Sequence, residues 1–249
     1  METERSVEES EKVWRYMSFS RFIWLLQNRQ LWLSRLDLLG DVWEGALAGQ
    51  QLEHVIARHP PPPLSLSAVK TETAWERSER ISTHWRRTTF VSCWSASKHE
   101  SHALWRIYCG PLEGVAIQTT WGKLRKSASD LSLHRIDYGV PGSKRQTPTR
   151  LDLVTKKRPM FEYENEVRIV QAIEGDAEAG VLGHPIDWDP EKWIELISVH
   201  PEADSSFMET VTGAVADYAP ALKDRVQWSA MREVPPLDLV RGLRVEQRG

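Results

Sequence analysis

The sequence predicts an α+β domain, on three observations. Its 249 residues are 41% hydrophobic and 27% charged, the balance of a globular chain able to bury a core. Short strand-like runs and scattered helical stretches interleave without the regular alternation of a parallel α/β sheet. The chain opens as strand, helix, strand in quick succession. Residues 1–12 read as a flexible N-terminal arm, 13–240 as a single α+β domain with a helical excursion over 46–86, and 241–249 as a C-terminal tail. No apolar run is long enough for a membrane-spanning helix, and the polar, acidic start fits no signal peptide or mitochondrial leader. The two cysteines, Cys93 and Cys109, are therefore expected to be reduced in a cytoplasmic protein with no membrane partner. A net charge of −3 excludes a globally basic nucleic-acid coat.

Val13-Trp14-Arg15-Tyr16-Met17 reads as the first strand. Ser18 or Ser20 is placed to cap a helix over Phe22, Ile23, Leu25 and Leu26, which Asn28 ends. Leu31-Trp32-Leu33-Ser34 is a second strand. The excursion over 46–86 is mostly helical, interrupted by Pro60-Pro61-Pro62-Pro63, which no helix interior accommodates. Strands follow at 88–93 and 114–118 around a helix from His99 to Tyr108, with a short strand at 135–138. Pro141 to Arg150 is a turn-rich loop, 163–170 a strand and 175–190 an acidic loop. A strand over 193–199, a helix over 204–218 and a last strand at 226–229 complete the order. The chain holds 12 tryptophans against five tyrosines and five phenylalanines, yet their flanking residues do not recur at a fixed period, which excludes a repeat architecture.

The eight histidines lack metal-ligand spacing, the cysteines form no CxxC pair, and no phosphate-cradling glycine loop or nucleophile elbow is present. No metal is expected. Three stretches carry chemistry instead. On a strand over 163–170, Glu164, Glu166 and Arg168 project to one face, where two carboxylates repel unless a cation compensates, and Arg168 is the candidate. In Val91-Ser92-Cys93-Trp94-Ser95-Ala96-Ser97, hydroxyls cluster past a strand and are placed to line a polar pocket. Arg15 sits inside an apolar strand, where a guanidinium needs an anionic partner or a route to solvent.

Taken in order, an Arg on the first strand, a Ser after a middle strand and Glu-x-Glu on a later one, this pattern resembles the Arg–Ser–Glu class of ADP-ribosyltransferases. The chain is more closely similar to the bacterial family catalogued as domain of unknown function 2971. The matching residues are Trp14-Arg15-Tyr16-Met17-Ser18, Leu25-Leu26-Gln27-Asn28 with Leu31-Trp32-Leu33-Ser34, and Asp41-Val42-Trp43-Glu44-Gly45. They continue through Val91-Ser92-Cys93-Trp94-Ser95, Leu104-Trp105 with Tyr108, Gly114-Val115-Ala116-Ile117, and Lys157 with Phe161, Glu164, Glu166 and Arg168. Gly40 and Val42 stand where that family tends to have Asn and Pro.

The first resemblance implies an ADP-ribosyltransferase-like fold, with small mixed or antiparallel sheets forming a cleft flanked by helices. It implies NAD as the donor substrate and a protein or nucleic acid as acceptor, in a toxin or phage-defence effector with a neutralising, antitoxin-type partner. Glu166 would stabilise the positive charge that develops on the ribose, as in glycoside cleavage. Arg15 would hold a phosphate or ribose oxygen, and Ser92, with Ser95 as second choice, would position the nicotinamide ribose. Trp94 or Tyr163 would stack on nicotinamide, and Glu164 would orient the acceptor. Lys156, Lys157, Arg158 and Phe161 belong to a basic, aromatic stretch that also includes Lys144, Arg145 and Arg150 and suits a nucleic-acid strand. Two other readings compete: a non-catalytic binding module of the same fold, and a metal-dependent nuclease using Asp41, Glu44, Glu164 and Glu166.

Overall fold

A computed structural model describes residues 8–41, 43–45, 73–139, 149–175 and 180–233. The prolines of 60–63, most of the 141–150 loop and the 241–249 tail lie outside the described residues. The fold is α+β. The strands are β1 (Lys12–Ser18), β2 (Gln30–Arg35), β3 (Thr89–Ala96), β4 (Gly114–Thr120), β5 (Ser132–Arg135), β6 (Asp137–Tyr138), β7 (Lys156–Lys157), β8 (Glu166–Ala172), β9 (Gly183–Asp187), β10 (Leu196–Val199) and β11 (Val226–Trp228). The helices are α1 (Phe19–Asn28), α2 (Ala74–Arg87), α3 (His102–Tyr108), α4 (Trp121–Ser127), α5 (Arg150–Thr155), α6 (Pro190–Trp193) and α7 (Ser205–Tyr218).

Nine strands join in one sheet in the order β11-β10-β4-β1-β3-β2-β9, with β8 on β3 and β5 on β8. β10 and β11 run parallel and the other pairs of this sheet are antiparallel, while β6 and β7 form a separate parallel pair. The sheet divides at β3. Along one edge β3 pairs with β8 throughout, from Thr89↔Ala172 to Ser95↔Glu166. Its other edge is shared: Phe90 and Val91 meet Arg35 and Ser34 of β2, and Ser95 and Ala96 meet Trp14 and Val13 of β1. Residues 92–94 lie in the opening between the two partners. From there β1 continues along β4, and β2 continues along β9.

Period-two alternation sorts the side chains. Val13, Met17, Phe90, Trp94, Val167 and Ile169 enter the main core under α1, α4 and α7. The apolar positions of α1 recur as Phe22, Leu25 and Leu26, which are its buried face. On the opposite face the apolar residues separate into two small clusters, one around Trp14, Tyr16 and Trp105 and one around Leu36, Val91, Val154 and Val170.

Several elements differ from the sequence expectation. Ser18 occupies the N-cap position of α1, but its hydroxyl meets Ser20 Oγ at 3.0 Å and caps no backbone N–H. The helix expected from His99 starts at His102, with Ser101 as its cap. β9 falls in the segment expected to be loop. Gly183 and Pro185 are poor strand formers, and the strand exists because it is an edge, paired with β2 alone. The strand expected over 163–170 begins only at Glu166. Pro159–Glu164 is a 3-10 turn, and Asn165 turns the chain in the left-handed region at φ 41°. Both cysteines are free. Among the described residues no helix is long and apolar enough to cross a membrane.

Candidate active site

The opening beside β3 is bridged by one side chain. Arg15 reaches from β1, donating from Nη1 to Ser92 Oγ at 2.7 Å and from Nη2 to the Trp32 carbonyl at 3.2 Å. Ser92 Oγ also accepts the Trp94 indole N–H at 3.1 Å, so the hydroxyl is held by two donors. The guanidinium carbon lies 5.9 Å from the Trp94 ring centroid. Among the described residues no carboxylate pairs with Arg15, and burial lowers its pKa to about 10.

Carboxylates gather at the other end. Asp41 accepts the Trp43 N–H at 3.0 Å, and the Glu44 N–H returns to the Asp41 carbonyl at 3.0 Å. That tight turn, closed by Gly45 at φ 71°, swings Glu44 inward. Glu164 arrives from the 3-10 turn and Glu166 from the first residue of β8. Lys157 Nζ stands among the three, 2.6 Å from Glu164, 3.1 Å from Glu166 and 3.1 Å from Glu44. Arg168 grips Glu166 with both arms of its fork, at 2.7 and 3.0 Å, and reaches Glu44 at 2.9 Å. All five residues are buried.

These partners set the protonation states. Burial alone would raise Glu166, but Arg168, and then Lys157, hold its carboxyl down to about 2. Glu164 moves the opposite way: burial raises it, Lys157 opposes that, and the neighbouring Glu166 charge reinforces it. Lys157 is raised, because the charges of Glu166, Glu44 and Glu164 outweigh its burial. The Tyr108 hydroxyl donates to Glu164 Oε1 at 3.2 Å, and its own pKa is raised by burial and by that carboxylate. Burial, then the Glu166 charge, also pushes the Cys93 thiol up.

One cleft of about 450 Å³ brings the two groups together, lined by Arg15, Arg21, Glu44, Glu164, Glu166 and Arg168 among others. The sequence candidates differ in where the fold places them. Arg15, Glu164 and Glu166 line the cleft together. Ser92, 1% exposed, stands behind Arg15 and positions it, whereas Ser95 is on the wall and donates to the Glu164 carbonyl at 2.7 Å. Trp94 touches the cleft but is only 2% exposed and packs on Trp188, so little of its face is open for stacking. The open aromatics at the cleft are Tyr163, at 49% exposure, and Tyr108, at 45%.

The basic stretch is largely committed to internal partners. Lys156 pairs with Asp152 at 3.2 Å, Lys157 is buried among the carboxylates, and Arg158 pairs with Asp41 at 2.8 Å. Arg158 also lies 5.7 Å from the Trp43 ring and 5.5 Å from that of Phe161. Arg150 binds the Ile173 and Thr88 carbonyls at 3.1 Å. Lys144 and Arg145 lie outside the described residues.

The expected same-strand placement of Glu164, Glu166 and Arg168 is corrected: Asn165 puts Glu164 on the turn, and the two carboxylates still converge because Lys157 draws both. For the nuclease alternative, an ammonium occupies the place between Glu44, Glu164 and Glu166 that a metal ion would need, and Asp41 is turned to Arg158. In the sequence Glu44 stands out only within the family-like Asp41–Gly45 stretch and as a metal ligand of the nuclease reading, and Arg21 does not stand out. Signals for both exist, a glycine-closed turn after Asp41 and a basic residue in the first turn of a helix.

No protein-family model matches the chain, and no curated protein does. Among solved structures the chain is similar to DarT from Thermus sp. 2.9 in complex with ADP-ribosylated ssDNA. That match has 13% sequence identity, covers 92% of this chain and 99% of that chain, and has a TM-score of 0.45.

Proposed function

We propose that the protein is an NAD-dependent ADP-ribosyltransferase that modifies a protein or nucleic-acid acceptor. One observation carries the reading: a buried arginine with no carboxylate partner among the described residues lines the same cleft as a buried Glu-x-Glu pair. The cationic end suits the phosphates of the donor and the anionic end suits the charge that develops on its ribose. In transfer, the bond between nicotinamide nitrogen and ribose breaks with its electron pair leaving on nicotinamide, and the acceptor bonds to the same ribose carbon and loses a proton.

Arg15, fixed by Ser92 and Trp32, orients a phosphate through charge-assisted hydrogen bonds. Glu166, ionised at any working pH, faces the developing positive charge. Glu164, with its raised pKa, takes the acceptor's proton. Tyr163 and Tyr108 offer ring faces at the cleft. Lys156 and Arg158 contribute to acceptor contact only by exchanging their carboxylate partners for the acceptor's charges. An enzyme that modifies macromolecules of its own cytoplasm suits a toxin or phage-defence effector held in check by a neutralising partner.

A second reading, a binding module without turnover, is favoured by one feature. Both Glu166 oxygens are already engaged by Arg168, and one also by Lys157. The test is purified protein incubated with labelled NAD and cell lysate beside its Glu166→Gln variant. The transferase reading expects label on a macromolecule with the unmodified protein and none with the variant. Equal labelling by both removes Glu166 from the chemistry, and no labelling by either leaves the binding module.

A further inference from the structure

Arg21 lies on the cleft wall with Arg15, in the first turn of α1. It is exposed, and among the described residues it makes no hydrogen bond, ion pair or ring contact. Its location is unfavourable on two counts. The start of a helix carries partial positive charge, and α1 has no acidic residue in its first turn to offset a cation there. Arg21 also repels Arg15, adding to the burial that already lowers that guanidinium.

Among the described residues no carboxylate of the cleft pairs with either arginine, and each carboxylate is bound to another cation. Asp41 is bound to Arg158, Glu44 to Lys157 and Arg168, Glu164 to Lys157, and Glu166 to Arg168 and Lys157. Arg15 is buried and Arg21 exposed, both line the cleft, and among the described residues neither has a carboxylate partner, so the two suit a ligand that supplies one negative charge to each. A diphosphate diester does so, with one charge on each of two linked phosphates.

We propose that Arg15 and Arg21 form a two-point subsite for a diphosphate diester, with Arg21 holding the second phosphate. The proposal deepens the transferase reading and rests on it for taking the cleft as the nucleotide site. It adds a binding residue, and it makes the linked pair of phosphates what the arginine end of the cleft selects.

The test is calorimetric titration of the full chain with ADP-ribose and with its two monophosphate halves, AMP and ribose 5-phosphate. Arg21 is exposed and makes no hydrogen bond, ion pair or ring contact among the described residues, so Arg21→Ala is expected to fold as the unmodified protein does. The unmodified protein should bind ADP-ribose at least about tenfold tighter than either half, the size of effect one charge-assisted contact supplies. Arg21→Ala should weaken ADP-ribose about tenfold and weaken only one of the halves, because the other is held by Arg15. Unchanged ADP-ribose binding, or an equal loss for all three ligands, overturns the proposal; the second would reveal only a diffuse charge effect. The labelled-NAD assay separates this outcome from the reading beneath it. Selective loss on Arg21→Ala without any transfer of label leaves the subsite standing and removes the transferase. Transfer of label with ADP-ribose binding unaffected by Arg21→Ala does the reverse.

Discussion

The two ends of the cleft hold buried guanidinium groups in opposite circumstances. Arg168 on β8 is wrapped by Glu166 and Glu44, and its pKa rises because those charges outweigh its burial. Arg15 on β1 has a hydroxyl and a carbonyl but no carboxylate among the described residues, and its pKa falls to about 10. A buried charge with partners is part of the architecture. A buried charge without one is a cost retained in the folded state, and such costs persist where a ligand relieves them. The arginine end therefore reads as ligand-seeking and the Arg168 side of the carboxylate end as self-sufficient.

The largest effect should come from the residue that links the two circumstances. Glu166→Gln removes the carboxylate that faces the substrate, and transfer of label from NAD should drop by on the order of 10³. Arg168→Met tests self-sufficiency. It leaves Glu166 and Glu44 buried with Lys157 as their common cation, and should cost roughly 3–5 kcal/mol of stability in chemical denaturation. A loss under about 1 kcal/mol would mean that water already reaches these carboxylates, and the contrast with Arg15 would dissolve.

How far the sequence discloses this site differs between its ends. Arg15 stands out because a charged residue interrupts an apolar strand, and Glu164 and Glu166 stand out as paired carboxylates. The strands β1, β3, β4 and β8 follow from alternation and β-branched content, with boundaries shifted by a few residues. Lys157 stands seven and nine residues before Glu164 and Glu166 and meets them across the Pro159–Glu164 turn, whereas Glu44 joins the cluster only through long-range folding, carried in by the Asp41 turn. No local pattern encodes a contact between residues so far apart in the chain. Trp94 misled for a related reason. Its neighbours in sequence are pocket residues, yet alternation on β3 sends its indole to the core beside Trp188, while the open ring of Tyr163 comes from a turn that no periodicity announces.

Acid should separate the ends next. The Glu166 carboxyl is depressed to about 2 in the folded protein, so its contribution is complete above the unfolded carboxyl range and is lost as pH falls through about 2. Unfolding free energy measured from pH 5 down to pH 2 should fall by roughly 2–3 kcal/mol on this account. Glu164 has the opposite sign, since a raised carboxyl binds its proton more tightly in the folded state and partly offsets the loss. Glu166→Gln should flatten the acid limb. An acid limb that is as steep in the variant would assign the effect to other carboxylates.

The smallest effect is the most telling about the arginine end. Arg15→Met replaces the guanidinium with an apolar chain of similar length in a setting that already includes the Trp94 ring. Ser92 Oγ keeps the Trp94 indole as donor, so the substitution leaves only the Trp32 carbonyl short of a partner. Relief of an unpaired buried charge offsets that loss, and stability should stay within about 1 kcal/mol of the unmodified protein, with a gain as acceptable as a loss. Binding of ADP-ribose should meanwhile fall at least about tenfold, since the charge-assisted contact is gone. A fold that tolerates the change while the ligand does not is what distinguishes an arginine kept for a substrate from one kept for the sheet. A stability loss as large as that of Arg168→Met would place Arg15 in the second class and leave the cleft without its anion-binding end.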